Sequence, residues 1–247
     1  MLNQVCALAE TAGREIKKIY ESGDWDVTAK KDASPLTQAD LAANAVIVEG
    51  LKTFSKDVIV SEECELPSIQ DGQTFWLVDP LDGTRDFVAR LDTFVVCIAR
   101  IENHYPTLGV IHAPVTGETW WAEKSHGCFG PQGQKLINMS RRTELIALGS
   151  RSTPSERMQG LYEQYSIKEV RRFGSALKFC KIAEGVADLY PRFGPTSEWD
   201  TAAGQIIVEE AGCRVRDLST GVRLRYGKPG FENRGGFIVA RSDLALG

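Results

Sequence analysis

The chain has 247 residues, 43% hydrophobic and 25% charged, proportions that exclude collagen-like, low-complexity and disordered chains because its apolar side chains suffice to offset the entropy of ordering. Lys and Arg number 29 against 33 Asp and Glu, a net charge of −4, which argues against sequence-independent binding to nucleic acid. The longest apolar runs, such as Val95–Ala99, fall far short of the about 20 residues that span a bilayer.

The opening Met1-Leu2-Asn3-Gln4-Val5, with Glu10 soon after, is not expected to be a secretory signal. Leu2, Val5, Cys6, Ala9, Ala12, Ile16, Ile19 and Tyr20 recur at three- and four-residue steps and predict an amphipathic helix ending before Ser22-Gly23. A polar loop, residues 30–35, follows. Thr37 with Asp40 resembles a capping box and opens a second helix over about 38–54. Strands are expected at Val58–Val60 and Phe75–Val78, then at Phe94–Ile101, Leu108–His112 and Glu118–Ala122, joined by Gly, Pro and Asn turns. The pattern breaks near Gly127–Gly133. Beyond it, strands (145–149, 168–173, 187–190) alternate with helices (154–165, 175–184, 201–211), the last two stopped by Gly185 and Gly212, and short strands close the chain. The fold class is α/β or mixed α+β in layers. A soft boundary at 135–145 divides an N-terminal unit, 1–140, from a C-terminal unit, 141–247, unless the two form one domain.

Six cysteines at 6, 64, 97, 128, 180 and 213 show no C-x-x-C pair and read as reduced core thiols of a cytoplasmic protein; three histidines make a His-rich zinc site improbable. Phe75-Trp76 and Trp120-Trp121 read as core or sheet-face packing.

Asp79-Pro80-Leu81-Asp82-Gly83-Thr84 ends an apolar strand, with Asp79 its last residue and Asp82 in the turn. Two such close carboxylates repel unless a cation or proton lies between them, and their hard oxygens suit Mg²⁺. Gly83 lets backbone approach a ligand, and Thr84 opens a short helix. The plain alternative is an Asp-Gly turn. Glu62 and Glu63 follow another strand and taken singly are solvated charge. Asp200, after Trp199, taken singly is a helix N-cap. With Asp40 at the start of the second helix, these acids can converge on one cleft.

Ser61-Glu62-Glu63, Asp79-Pro80-Leu81-Asp82-Gly83-Thr84 and Trp199-Asp200-Thr201-Ala202-Ala203-Gly204 together resemble the signature set of the inositol monophosphatase superfamily, in order and spacing over nearly the whole chain. The resemblance implies a layered αβαβα sandwich and a magnesium-dependent, lithium-sensitive phosphatase using two or more Mg²⁺ ions. It gives Glu62, Asp79, Asp82 and Asp200 as side-chain metal ligands and Leu81 as a carbonyl ligand. Thr84 is given as the water-activating residue working with Glu62, Asp40 as its support, and Lys30 as a basic residue over the metals.

Within the superfamily, Arg172-Phe173-Gly174-Ser175-Ala176-Leu177-Lys178 and Leu189-Tyr190-Pro191-Arg192-Phe193-Gly194-Pro195-Thr196, with Arg85-Asp86-Phe87, resemble the bacterial 3′(2′),5′-bisphosphate nucleotidases. Those enzymes act on adenosine 3′,5′-bisphosphate; 3′-phosphoadenylyl sulfate is a second expected substrate. Their second phosphate needs an anion site, which Ser175, Lys178 and Arg192 can supply; the plain readings are an exposed helix lysine and a surface arginine. That group more often has Lys-Glu-Phe where this chain has Arg85-Asp86-Phe87. The expected substrate contacts are thus Glu62, Leu81, Asp82, Gly83, Thr84, Ser175, Lys178, Arg192 and Asp200. The expected partner is a small nucleotide bisphosphate, with no nucleic acid and at most peripheral contact with the cytoplasmic face of the inner membrane. The competing readings are an inositol or sugar monophosphate phosphatase and a non-catalytic regulatory binding protein on the same fold.

Overall fold

The computed structural model describes residues 1–23, 27–29, 35–138, 140, 142–151 and 154–244. The chain opens with helix α1 (Leu2–Ser22), which buries Val5, Ala9, Ala12, Ile16 and Tyr20 along one stripe. A small hairpin of β1 (Val27–Ala29) and β2 (Pro35–Thr37), unforeseen from sequence, leads into α2 (Gln38–Phe54). The capping box is present: Thr37 accepts from the Ala39 N–H, and the Asp40 side chain accepts from the Thr37 N–H.

A seven-stranded sheet follows, in the spatial order β3 (Val58–Ser61), β4 (Phe75–Asp82), β5 (Val95–Glu102), β6 (Tyr105–Ala113), β7 (Glu118–Glu123), β8 (Gly127–Phe129) and β9 (Lys135–Leu136). Only β3 and β4 run parallel. Short helix α3 (Thr84–Val88) interrupts the run after β4. Two sequence expectations are corrected here. The stretch from Gly127 to Gly133 does not break the pattern but carries β8 and the turn into β9, which extend the first sheet. Strand β4 does not end at Asp79; it continues to Asp82 across a register shift between those two residues, and that bulge re-aims side chains at the strand's end.

The rest of the chain comprises β10 (Ile146–Gly149), α4 (Glu156–Gln164), β11 (Glu169–Arg172), α5 (Leu177–Ala183), β12 (Leu189–Arg192), β13 (Thr196–Ser197), α6 (Trp199–Glu210), β14 (Cys213–Asp217), β15 (Glu232–Asn233) and β16 (Phe237–Arg241). A five-stranded mixed sheet has the order β11-β10-β12-β16-β14. The β13–β15 pair forms a separate ribbon.

Strand β4 is buried on both faces, and its side chains alternate between two cores, which sorts the layers. Trp76 and Val78 pack with α1 and α2 in one core, whereas Phe75 and Leu77 join Phe179, Ile206 and Val239 in the other. A third cluster, with Ala147, Leu161 and Ile238, lies under α4. The order is therefore helices, seven-stranded sheet, helices α5 and α6, five-stranded sheet, helix: the expected αβαβα sandwich. Phe75, Trp76 and Trp120 are buried, and Trp121, half-buried, stacks on Phe129. All six cysteines are free; those at 97, 128, 180 and 213 are buried, but Cys64 is exposed. Among the described residues, no helix is long and apolar enough to cross a membrane.

Helix α6 lies directly on the first sheet because β6 offers a glycine there. A Cβ on Gly109 would stand 2.4 Å from Ile206 Cγ2, 2.8 Å from the Ala203 carbonyl oxygen and 3.0 Å from Ala203 Cα. Two of these three are helix backbone, which cannot rotate away. Gly109→Ala is expected to cost about 1–3 kcal/mol, a Tm roughly 3–10 °C lower, checked by scanning calorimetry.

Candidate active site

The acidic residues meet because strand ends meet. Glu62 follows β3, and its N–H donates to the Val78 carbonyl (3.2 Å), continuing the parallel pairing with β4. It therefore stands beside Asp79, which is buried. The Leu81 N–H donates to Asp79 Oδ1 (3.0 Å). Asp82 accepts a short hydrogen bond from the N–H of Ala176, 94 residues later. Gly83 then adopts φ 98°, in the left-handed region that favours glycine, and releases the chain into α3.

Asp40 is buried at the start of α2. Its Oδ2 accepts from the Thr37 N–H (2.8 Å) and hydroxyl (2.6 Å). Its Oδ1 faces Thr84, whose Oγ1 lies 3.2 Å away and also 3.2 Å from the Leu81 carbonyl oxygen. Asp200 is not the N-cap of α6, as its plain reading held. Glu198 holds that position, and Asp200 lies within the first turn, accepting from the Ser197 N–H (2.9 Å). Helix α6 starts earlier than the sequence suggests because buried Glu198 anchors it across the chain. The Glu198 carboxylate accepts from the Gly227 (2.7 Å) and Lys228 (3.0 Å) N–H groups and pairs with Lys228 Nζ at 2.8 Å.

A cleft of about 400 Å³ is lined by an acidic group, Asp82, Gly83, Asp200 and Thr201, and by a group carrying cations, Ser175, Lys178, Tyr190 and Arg192. Lys178 is not an exposed helix lysine: it is 6% exposed. Its Nζ donates to the carbonyls of Ser175 (2.6 Å) and Phe173 (3.2 Å) and lies 5.2 Å from the Tyr190 ring centroid. Arg192 ends β12 and is not an ion-paired surface arginine among the described residues; its Nε is shielded from solvent without a hydrogen-bond partner. Ser175 precedes α5, which begins at Leu177, and has φ 45°. Its hydroxyl donates to the Thr93 carbonyl and accepts from the Leu177 N–H (3.3 Å). The first N–H groups at this helix start, those of Ala176 and Leu177, are therefore held by Asp82 and by Ser175 itself. Lys30 lies outside the described residues.

Burial sets the electrostatics. It raises the Asp79 carboxyl well above the ordinary range, helped by the charges of Glu62, Asp82, Asp200 and Asp40. Asp82 rises to about 6, again through burial, although Lys178 and the Ala176 N–H oppose the shift. Asp200 rises through burial and through Asp82 and Glu62. Burial lowers Lys178 to about 8, with Asp82 opposing and Arg192 reinforcing. As placed, no three His, Cys, Asp or Glu side chains among the described residues are close enough to hold one ion. Like-charge repulsion opposes their approach until a cation offsets it. The donors are all oxygen, partly or fully buried and mutually repelling, which fits a hard divalent cation.

Sequence reasoning missed several residues of this cleft, among them Ser150 and Arg151, and singled out Asp86 only within the Arg85-Asp86-Phe87 segment, not as a site residue. The available signal was positional: Ser150 and Arg151 directly follow the end of a strand, as the acidic residues do.

Residues 1–245 match the inositol monophosphatase family, and the chain belongs to that family. Among its relatives, the 3′(2′),5′-bisphosphate nucleotidase CysQ of Salmonella typhimurium is 42% identical over 222 residues, 88% of this chain and 90% of the relative. The crystal structure of CysQ from Bacteroides thetaiotaomicron, a bacterial member of the inositol monophosphatase family, superposes with TM-score 0.85 at 33% identity over 98% of this chain and 97% of that one. The Thermotoga maritima IMPase superposes at 0.79, with 30% identity over 95% and 89% of the two chains.

A carboxyl with a raised folded pKa stabilises the fold while protonated, below its ordinary pKa near 4, and loses that contribution as pH rises through the folded value. The cluster therefore costs stability at neutral pH when no cation is bound. Asp79→Asn, whose Oδ1 can still accept from Leu81, is expected to stabilise the chelator-treated protein by at least about 1 kcal/mol at pH 7.5. The gain narrows as pH falls and the cluster protonates, and Mg²⁺ stabilises the parent but not the variant. Thermal unfolding with and without chelator checks both.

Proposed function

We propose that this chain hydrolyses the 3′-phosphate of adenosine 3′,5′-bisphosphate to AMP and phosphate, with 3′-phosphoadenylyl sulfate as a second substrate. The observation that carries the reading is the pairing of opposites within one cleft. Asp82 and Asp200 line it together with Lys178, a buried cation, and Arg192, whose shielded Nε has no partner. A buried unsatisfied donor in a native fold calls for an explanation, and an anionic group of the substrate supplies one. The nucleotidase name carried by relatives at 42% identity agrees. Six free cysteines suit a reducing compartment, and we place the enzyme in the cytoplasm.

In this reading Glu62, Asp79, Asp82 and Asp200, with the Leu81 carbonyl, hold magnesium. When bound, the ions offset the carboxylate charge and provide Lewis-acid stabilisation of the reacting phosphate. The chain's own residues do the positioning. Thr84 donates its hydroxyl proton to Asp40 Oδ1, which leaves its oxygen free to accept from an attacking water and aim it at phosphorus; Glu62 orients the same water from the end of the neighbouring strand. Asp40 is fixed for this role because Thr37 occupies its other oxygen. Gly83 allows close approach of backbone to the ester. Lys178 and Arg192 take the second phosphate, Arg192 with a forked contact, and Ser175 adds a hydroxyl once its bond to Thr93 is exchanged. In-line attack by water needs no covalent enzyme intermediate. Positioning and charge stabilisation then account for most of the acceleration.

Phosphate release from adenosine 3′,5′-bisphosphate and inositol 1-phosphate, measured side by side with Mg²⁺ and with chelator, tests the reading. A strong preference for the nucleotide, abolished by chelator, is expected. Preference for inositol phosphate makes the chain a monophosphate phosphatase, and no release from either makes it a binding protein. Lys178→Ala and Arg192→Ala should each lower kcat/KM for the bisphosphate at least about 30-fold, the loss of about 2 kcal/mol of charge-assisted contact. The same variants should change kcat/KM for inositol 1-phosphate less than about threefold. Glu62→Gln should lower both by at least about 10²-fold.

A further inference from the structure

The cleft contains another cation to which the function above gives no role. Arg151 follows β10 and lines the cleft with Lys178 and Arg192. Its Nη1 lies 2.6 Å from Asp86 Oδ1, and its Nη2 donates to Thr93 Oγ1 at 2.8 Å. The Thr93 hydroxyl in turn donates to Asp86 Oδ2 at 2.7 Å. The three side chains thus close a ring in which both Asp86 oxygens are engaged. Asp86 is also seated sterically: a Cβ on Gly174 would fall 1.8 Å from its Oδ2, so the aspartate fits only because residue 174 has no side chain. The Thr93 carbonyl accepts from Ser175, which ties the ring to the turn that leads into α5.

This arrangement does not spend Arg151. A guanidinium has five N–H donors, and the ring uses at most two. The Arg151 side chain remains 39% exposed, so part of its fork is open. Arg151 and Arg192 both disfavour the charge on Lys178, which places three cations within mutual reach around one cavity. Asp82 and Asp86 are the acids that face Lys178. Asp82 belongs to the acidic side of the cleft, so Asp86 is the counter-charge on the basic side. Without it, repulsion and solvation would draw a long side chain on a loop out of the cleft.

We propose that Arg151 is a third cationic contact for the substrate's second phosphate and that Asp86 is the residue that positions it. This rests on the bisphosphate nucleotidase reading. Arg151 need not leave Asp86 to act, because its unused donors can meet a phosphate oxygen while the ion pair persists. It also gives Asp86, within the Arg85-Asp86-Phe87 segment, a function: an aspartate against Gly174 fixes the arginine at one reach.

The test is the ratio of kcat/KM for adenosine 3′,5′-bisphosphate to that for adenosine 3′-monophosphate, at saturating Mg²⁺. The parent is expected to prefer the bisphosphate; if it does not, the functional reading itself falls, whatever the variants do. Given that preference, Arg151→Gln should lower the ratio about 10- to 100-fold, mainly through KM for the bisphosphate, the usual loss for a forked charge-assisted contact. Asp86→Asn should lower it less, about 3- to 10-fold, again in KM rather than kcat, and should add nothing to Arg151→Gln. A general structural defect would lower kcat on both substrates and leave the ratio unmoved. Thr93→Val loosens the same arginine from another side and replaces Asp86→Asn if that variant unfolds. An unchanged ratio in Arg151→Gln overturns the contact. An equal effect of Asp86→Asn, or of Thr93→Val, with and without Arg151 overturns the positioning role.

Discussion

Carboxylates crowded in a partly dry cleft repel one another, and much of this architecture serves to keep them there. Burial favours their protonation, whereas hydrogen bonds from backbone N–H groups favour the charged form. The four aspartates draw such bonds from different places, and Glu62 is held by its own backbone. Glu62 is set beside Asp79 by the parallel pairing of β3 and β4. Asp79 is held by the turn that follows it, Asp40 by the capping box of α2, and Asp200 by Ser197. Asp82 takes its donor from Ala176 in the other half of the chain, so the bond that orients it also fastens the start of α5 to the end of β4. None of these anchors involves a cation; they set where each acid stands, and repulsion still keeps the carboxylates apart.

The basic side of the cleft depends on the same contact. With Ala176 held against Asp82, the next turn carries Lys178 inward, where its ammonium caps the carbonyls of Phe173 and Ser175. Those carbonyls and Asp82 compensate the charge only in part, which is why burial still lowers Lys178 to about 8. Arg192 comes from the neighbouring strand, and its Nε is left uncompensated.

Local chemistry made the helices and the acidic motif readable from sequence. The stripe of α1, the Thr37–Asp40 cap and the acids after apolar strands all depend on neighbours within a few residues. What was unreadable came from distant contacts. Lys178 looks like any helix lysine until α5 is packed between two sheets. Asp200 looks like an N-cap until Glu198, tied to residues 227 and 228, starts the helix two residues earlier. The bulge between Asp79 and Asp82 is a mismatch with β5 rather than a property of the hexapeptide. Strands β8 and β9 were lost among glycines because strands of two or three residues have too little periodicity to register.

The two charged sides of the cleft also limit what substrate can satisfy it. A single phosphate can neutralise one side only. In the proposed reading, a phosphate bound at the acidic end leaves the Arg192 Nε shielded and unpaired, a desolvation cost of roughly 1–3 kcal/mol for an unsatisfied buried group. A molecule with two anionic groups would remove that cost as it binds, since its second group would meet buried Lys178 and the shielded Arg192 Nε. Discrimination against monoesters then needs no steric barrier, because a site built around unpaired donors rejects ligands that lack the matching acceptor. In the proposed reading selectivity belongs to the basic wall and turnover to the acidic one, with Asp82, hydrogen-bonded to Ala176 on one and electrostatically coupled to Glu62 on the other, shared between them.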